Sequence, residues 1–206
     1  MQVIIPMSGF GQRFKNKGYQ LPKPLIEVDK KPIIKHVVNL FSNDCSFIFI
    51  CNEDHLNNCQ YKMEEIILSC SKNVTIVPIK PHKLGPVHAI IQAKPYIDLD
   101  SKTIVNYADF CCRWNFADFK NMVEQTGCDG AIPAYKGFHP HTIWSNYYAY
   151  LKEENMNVLD IREKQSFTKN PRAEFASTGT YYFKTGKILL HYAENSMIEE
   201  LKVNGE

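Results

Sequence analysis

Residues 2–35 read QVIIPMSGFGQRFKNKGYQLPKPLIEVDKKPIIK, and the first dozen decide what kind of fold to expect. Val3, Ile4 and Ile5 form an unbroken apolar run, the pattern of a strand buried on both faces. A polar turn, Ser8-Gly9-Phe10-Gly11-Gln12-Arg13, follows almost at once. Its glycines allow positive φ and let backbone N–H groups come close to a ligand. A strand end running into such a turn makes a concave nest of donors suited to phosphate. Arg13 adds a planar, permanent positive charge that matches phosphate oxygens. Pro22 and Pro24 then flank Lys23, and the two rings predict an extended, pre-set backbone for the lysine. Nest, arginine and clamped lysine together point to a polyphosphate ligand.

Two familiar phosphate motifs do not fit. A dinucleotide fingerprint needs a third glycine where Phe14 stands, and Pro22 and Pro24 would cut its crossover helix, although Asp29 has the spacing of a ribose-binding acid. A Walker A loop would need Gly-Lys-Ser/Thr, which is absent here. What remains is Gly-x-Gly-x-Arg followed by Pro-Lys-Pro.

At 206 residues the chain is long enough for one domain with a real core. A net charge of +2, with 22% charged residues, gives no footprint for nucleic acid or an anionic membrane. Seven cysteines, none in a Cys-x-x-Cys pair and with no secretory leader ahead of them, predict reduced thiols in a cytoplasm. Cys45, Cys51 and Cys70 read as small core residues, and packing is also expected of Cys111 and Cys112. No apolar run approaches the roughly 20 residues that span a bilayer.

Past the opening stretch, strand and helix patterns alternate. Residues 33–41 have helical apolar spacing, 46–51 form a second buried strand, 61–70 a second helix and 74–79 a third strand. Gly85 and Pro86 open a helix running to about Ala93, which offers free N–H groups and a positive dipole end. A fourth strand, 103–107, a helix over 116–126 and a short strand at 130–134 follow. Residues 147–151 and 158–162 read as paired strands about a turn at 153–157, and 181–183 as another strand. Residues 187–192 and 197–203 look helical. This alternation predicts a three-layer α/β/α, Rossmann-like domain around a mixed, mostly parallel sheet, with ligands outside the carboxyl ends of the strands. No repeat or flexible linker interrupts it.

Three further motifs lie where such ligands sit. Asp109 follows Ala108 at the carboxyl end of the fourth strand, where a carboxylate is costly unless a cation meets it. Mg²⁺ shared with substrate phosphates is a natural partner, and a helix cap is the alternative. In Gly137-Phe138-His139-Pro140-His141 the histidines would point to one side of an extended segment. They suit a metal, an anionic ligand or a plain surface loop. Glu163-Lys164 ends the second strand of the expected pair, and Gly179 lets backbone approach a ligand closely.

These motifs, with IVNYADF (104–110), REKQSFT (162–168) and ASTGTYYF (176–183), resemble the NTP-dependent sugar-phosphate nucleotidyltransferase superfamily over most of the chain. Within it the wording is most similar to capsule-biosynthesis members, among them CTP:phosphoglutamine cytidylyltransferases of capsular phosphoramidate biosynthesis. The resemblance implies a GT-A-like fold and a cytoplasmic, Mg²⁺-dependent enzyme that joins an NTP, favoured CTP, to a phosphorylated acceptor, favoured L-phosphoglutamine. It places the nucleotide on Met7, Ser8, Gly9, Phe10, Gly11, Gln12, Arg13, Lys23 and Ala108, with base and ribose near Lys80, Lys83, Gly85 and His88. Lys80 and Lys83 as solvated loop charges are the alternative. Asp109 becomes the metal ligand, and His139, His141, Glu163, Lys164 and Gly179 the acceptor side. Arg13, Lys23, Asp109 and Lys164 carry the chemistry.

On this reading residues 1–110 form a nucleotide-binding half and 111–206 an acceptor-binding half of one domain, with small molecules as partners and a homo-oligomer compatible. The resembling proteins continue into a strand and helix bearing a second metal carboxylate; nothing after Val203 offers one, so a chain lacking its C-terminal segment is expected. A sugar 1-phosphate acceptor with dTTP, UTP, GTP or CTP stays open. So does a non-catalytic nucleotide-binding module, although Asp109 and Lys164 favour an enzyme, since a mere sensor of nucleotide would not need an acceptor phosphate site.

Overall fold

The opening apolar run does become a central strand. The computed structural model of the protein describes residues 1–138 and 148–198. β1 (Gln2–Met7) lies between two parallel neighbours, β4 (Ser46–Asn52) and β6 (Thr103–Asn106). Val3, Ile4 and Ile5 are fully buried because the sheet is covered on both faces. Before β4 come the one-turn α1 (Gln12–Lys15), a small hairpin of β2 (Glu27–Val28) and β3 (Lys31–Pro32), and α2 (Ile33–Val38). After it come α3 (Glu53–Asn57), α4 (Met63–Leu68), β5 (Val74–Ile79) and α5 (Gly85–Gln92).

Alternation along the strands sorts their side chains. Val3, Ile5, Met7, Phe47 and Phe49 join one apolar cluster with α2, α4 and α6 (Phe116–Thr126). On the other face α5 packs on β1 and on α7 (Gly186–Ile198). Each fully buried Ile or Phe contributes about 1.5–3 kcal/mol.

Chain contacts divide the molecule into two compact units, Met1–Ala131 with Tyr182–Glu206, and Ile132–Tyr181. The first holds the six-stranded sheet, ordered β5-β4-β1-β6-β12-β7, where β7 is Gly130–Ala131 and β12 is Thr180–Phe183. β12 and β7 pair antiparallel, so the sheet is mixed but mostly parallel, as expected. The second holds an antiparallel sheet ordered β10-β9-β11-β8, from β8 (Ala134–Tyr135), β9 (Ala149–Glu154), β10 (Asn157–Glu163) and β11 (Phe175–Ser177). No helix among the described residues is long and apolar enough to cross a membrane.

Several boundaries differ from expectation. The strand at 130–134 is two, β7 and β8, belonging to different sheets. The turn at 153–157 shrinks to Asn155 and Met156, both at positive φ (51° and 65°), as in a two-residue hairpin turn whose twist matches its strands. The helix expected at 187–192 runs on to Ile198, and the rest of the segment expected at 197–203 lies outside the described residues. Ser196 donates to the Ala193 carbonyl and Asn195 bonds His191, so two turn-forming residues are satisfied inside α7. Cys45 and Cys51 are buried as expected, and burial pushes both thiols up; burial pushes Cys70 up to about 11. Cys111 is exposed instead, and Cys112 half-buried.

Candidate active site

Met7 ends β1 with its side chain in the core, so only its backbone faces the loop that follows. Ser8 is buried, and its carbonyl accepts from Nδ2 of Asn52, which ends the neighbouring β4. Asn52 is itself fully buried, and its Oδ1 caps α3 by accepting from the Asp54 N–H. One side chain thus ties the loop after β1 to the loop after β4. The sequence reading missed Asn52, although an Asn at a strand end ahead of a helix is a signal that could have found it.

Gly11 takes the left-handed conformation, φ 64°, and caps α1, so Phe14 and Lys15 both direct N–H groups to its carbonyl. A methyl group at Gly11 would lie 3.9 Å from Cβ of Lys23. The close approach brings the glycine turn and the Pro-Lys-Pro segment side by side. Gln12 and Arg13 are exposed, and Phe10 is half-buried.

Lys23 is not extended. It opens a one-turn 3₁₀ helix, Lys23–Leu25, with buried Pro22 at its start and Pro24 in its first turn. Proline is tolerated there because the N–H it lacks would have no helical partner. The ammonium pairs with the Asp109 carboxylate and lies 5.0 Å from the centre of the Phe14 ring. Phe14, the residue that rules out a dinucleotide fingerprint, therefore supports the lysine. Asp109 sits in the turn after β6, beyond buried Ala108. The cation required at that strand end is Lys23. The cap alternative fails, because no helix begins at Asp109 and Asn115 caps α6 through the Ala117 and Asp118 N–H groups.

Mg²⁺ can be tested against these residues. Among the described residues no group of three His, Cys, Asp or Glu side chains could hold a metal alone. Asp109 is a single carboxylate about one-third exposed, and Mg²⁺ is commonly held by one or two carboxylates with substrate phosphates and water. The donor set fits an ion that arrives with phosphates.

Gly85 has φ 81° and starts α5 with Pro86 in its first turn, as expected. Lys80 and His88 line a groove of about 610 Å³ beside β5, with Glu53, His82, Gln92 and Tyr96; Gly85 is not among its walls, nor are the glycine turn, Lys23 or Asp109. The His82 and His88 rings are 4.6 Å apart. Burial, and then His88, hold the His82 imidazole below its usual range.

In the second unit, Lys164 follows β10 at φ 57°, donates its N–H to the Tyr148 carbonyl, and has its ammonium 3.8 Å from the Glu163 carboxylate. Gly179 is buried at φ 71°, its N–H donating to Ser177 Oγ. Glu174 carries no local signal in the sequence. This carboxylate accepts from the Phe167 and Thr168 N–H groups, both at 2.7 Å, and closes the loop after Lys164. Partial burial raises its pKa, but hydrogen bonds from the Thr168 side chain and these N–H groups prevail and hold it low. His139 and His141 lie outside the described residues.

Residues 2–204 match the profile of the family described as Nucleotidyl transferase. Bifunctional protein GlmU of Methanocaldococcus jannaschii is 22% identical over 201 residues, covering 97% of this chain and 43% of its own length. Mannose-1-phosphate guanyltransferase of Schizosaccharomyces pombe is 27% identical over 149 residues, covering 68% of this chain and 39% of its own. The chain thus spans less than half the length of these relatives. Among solved structures, nucleoside-diphosphate-sugar pyrophosphorylase from Vibrio cholerae RC9 superposes with a TM-score of 0.73 at 18% identity, over 99% of this chain and 82% of that one. UDP-glucose pyrophosphorylase complexed with UDP-glucose gives 0.70 at 18% identity, over 94% and 79%. The likeness covers nearly all of this chain.

Proposed function

Because the chain belongs to the nucleotidyl transferase family, we propose that it transfers a nucleotidyl group from an NTP to a small phosphorylated acceptor. An acceptor phosphate oxygen bonds to the α-phosphorus as the bridge to the β-phosphate breaks, and pyrophosphate leaves. The observation that carries this reading is the Lys23–Asp109 pair, held beside the glycine turn at the carboxyl ends of β1 and β6.

Such a displacement needs alignment and charge neutralisation more than covalent help. The backbone from Ser8 to Gln12 and the Arg13 guanidinium take the β- and γ-phosphates. Lys23 moves from Asp109 toward the α-phosphate and offsets charge developing on the leaving oxygen. Asp109 would hold Mg²⁺ with the phosphates, and the bound ion supplies further neutralisation there. Lys164 takes the acceptor phosphate, with Glu163 and Gly179 shaping its surroundings. No general base is needed, because a phosphate dianion is already a nucleophile. Residues 1–110 serve the nucleotide and later ones the acceptor.

CTP and L-phosphoglutamine are the favoured pair, on the wording of the IVNYADF, REKQSFT and ASTGTYYF segments. A sugar 1-phosphate with dTTP, UTP, GTP or CTP is the second reading, supported by relatives named for sugar-phosphate substrates. Pyrophosphate release measured for four NTPs against phosphoglutamine and a panel of sugar 1-phosphates decides between them. Release with CTP and phosphoglutamine alone supports the first; release only with a sugar phosphate selects the second. Nucleotide binding without release under any pairing would leave a non-catalytic module.

A further inference from the structure

All seven residues of β10 are exposed, and among the described residues its outer side has no neighbouring strand. Edge strands are commonly protected by charged side chains (lysine above all), by proline or by irregular pairing, and the charges of β10 are of both signs. β10 carries neither lysine nor proline, and its one irregularity, at Leu159, lies toward the hairpin tip. From Asp160 to Glu163 the register against β9 is regular. Lys164 aims its N–H inward at the Tyr148 carbonyl, so by strand alternation Ile161 and Glu163 aim theirs outward. Ile161 also exposes 44% of its surface, with Val158 and Leu159 exposed nearby.

The charges on this edge are self-complementary. Asp160 and Arg162 project to the same side, with Nε of Arg162 3.4 Å from Oδ2 of Asp160. In an antiparallel pairing of β10 with a second β10 about Ile161, Asp160 of each copy faces Arg162 of the other. Ile161 meets its own counterpart and exchanges N–H and carbonyl bonds with it. The two arginine–aspartate pairs become a ring of four alternating charges. Moving the twofold axis from Ile161 to Asp160 or Arg162 would set that residue opposite its own copy, like charge against like, which fixes the register.

We propose that β10 joins a second copy of this chain edge to edge, continuing the four-stranded sheet into an eight-stranded one across a twofold axis. One short strand buries less than the roughly 1,600 Å² of a standard stable complex, so the dimer is weak and reversible, with a micromolar dissociation constant. Sedimentation velocity over a concentration series tests this. Asp160→Arg and Arg162→Asp should each weaken the dimer about tenfold, because each places like charges opposite. The double exchange, Asp160→Arg with Arg162→Asp, should restore the parent affinity. Ile161→Lys should give monomer. Circular dichroism identifies any variant that fails to fold, and the double exchange decides the matter if Ile161→Lys does. A parent chain that stays monomeric into the high-micromolar range, a dimer indifferent to the single exchanges, or a double exchange that does not recover would each overturn the proposal.

Discussion

Lys23 and Lys164 both stand beside a carboxylate, but they are held in opposite ways. Lys23 is fixed from several sides: by buried prolines next to it, the Phe14 ring nearby, and an ion pair to a residue 86 positions away. Lys164 is held locally, by its own left-handed backbone, one N–H bond and the adjacent Glu163 at the end of an exposed strand. The first arrangement suits a contact that must be in register with a bond being broken. The second suits a contact that docks a ligand and tolerates variation in it.

If that contrast is right, the largest effect falls on the partner of the fixed lysine. Asp109→Asn should reduce Mg²⁺-dependent pyrophosphate release to background. The pair it breaks is about one-third exposed and is worth no more than about 1 kcal/mol, so Tm should move by no more than about 4 °C. A collapse in Tm would make Asp109 a structural residue. Lys23→Ala comes next, with kcat lower by about 10² and the fold intact, and Arg13→Ala should behave alike. A near-parent kcat in either variant would remove the fixed side of the comparison.

The local lysine should give a smaller and different response. Lys164→Ala is expected to raise the acceptor KM about tenfold, with NTP affinity by calorimetry unchanged. Weakened NTP binding would mean that the two lysines serve one subsite. The smallest effect concerns His55 in α3, the helix that Asn52 caps. His55 is buried with Nδ1 unpartnered, and burial, with Lys15, holds its imidazole low while Asp54 opposes them. The unfolded chain therefore takes up a proton before the folded one does. His55 contributes stability above pH 6.5 that is lost as pH falls through its lowered folded value. Thermal melts of the parent should lose more Tm between pH 7 and 5 than melts of His55→Leu; parallel slopes would place the acid sensitivity elsewhere.

Much of the fixed side was legible in the sequence because its signals are local. β5 and α6 occupy the residues their patterns predict, and α6 has both end signals, Asn115 at its start and Gly127 at φ 61° past its end. Gly11 takes the positive φ read for it, and Gly85 and Pro86 open a helix as read. What could not be read depends on partners far along the chain. Asn52 matters because β4 lies beside β1, Phe14 because Lys23 folds back over it, and β11 because β8 and β9 flank three otherwise unremarkable residues. The extended backbone expected at Lys23 failed because Leu25 and Ile26 direct N–H groups back to Pro22 and Lys23, closing a turn.

The sheet order β6-β12-β7 has a consequence for synthesis. β7 leaves the ribosome about 50 residues before β12, yet β12 is the strand that must lie between it and β6. At roughly 5–20 residues per second, β1, β4, β5 and β6 can assemble while β7 waits for several seconds with no strand to pair with. During that wait the intervening segment emerges whole and is free to fold as its own antiparallel sheet. Only the return of residues 180–183 threads the gap, and α7 follows, bringing Gly186 to a place where the Asp98 carbonyl leaves no room for a side chain. That glycine is the stop that registers the returning chain against the part already made.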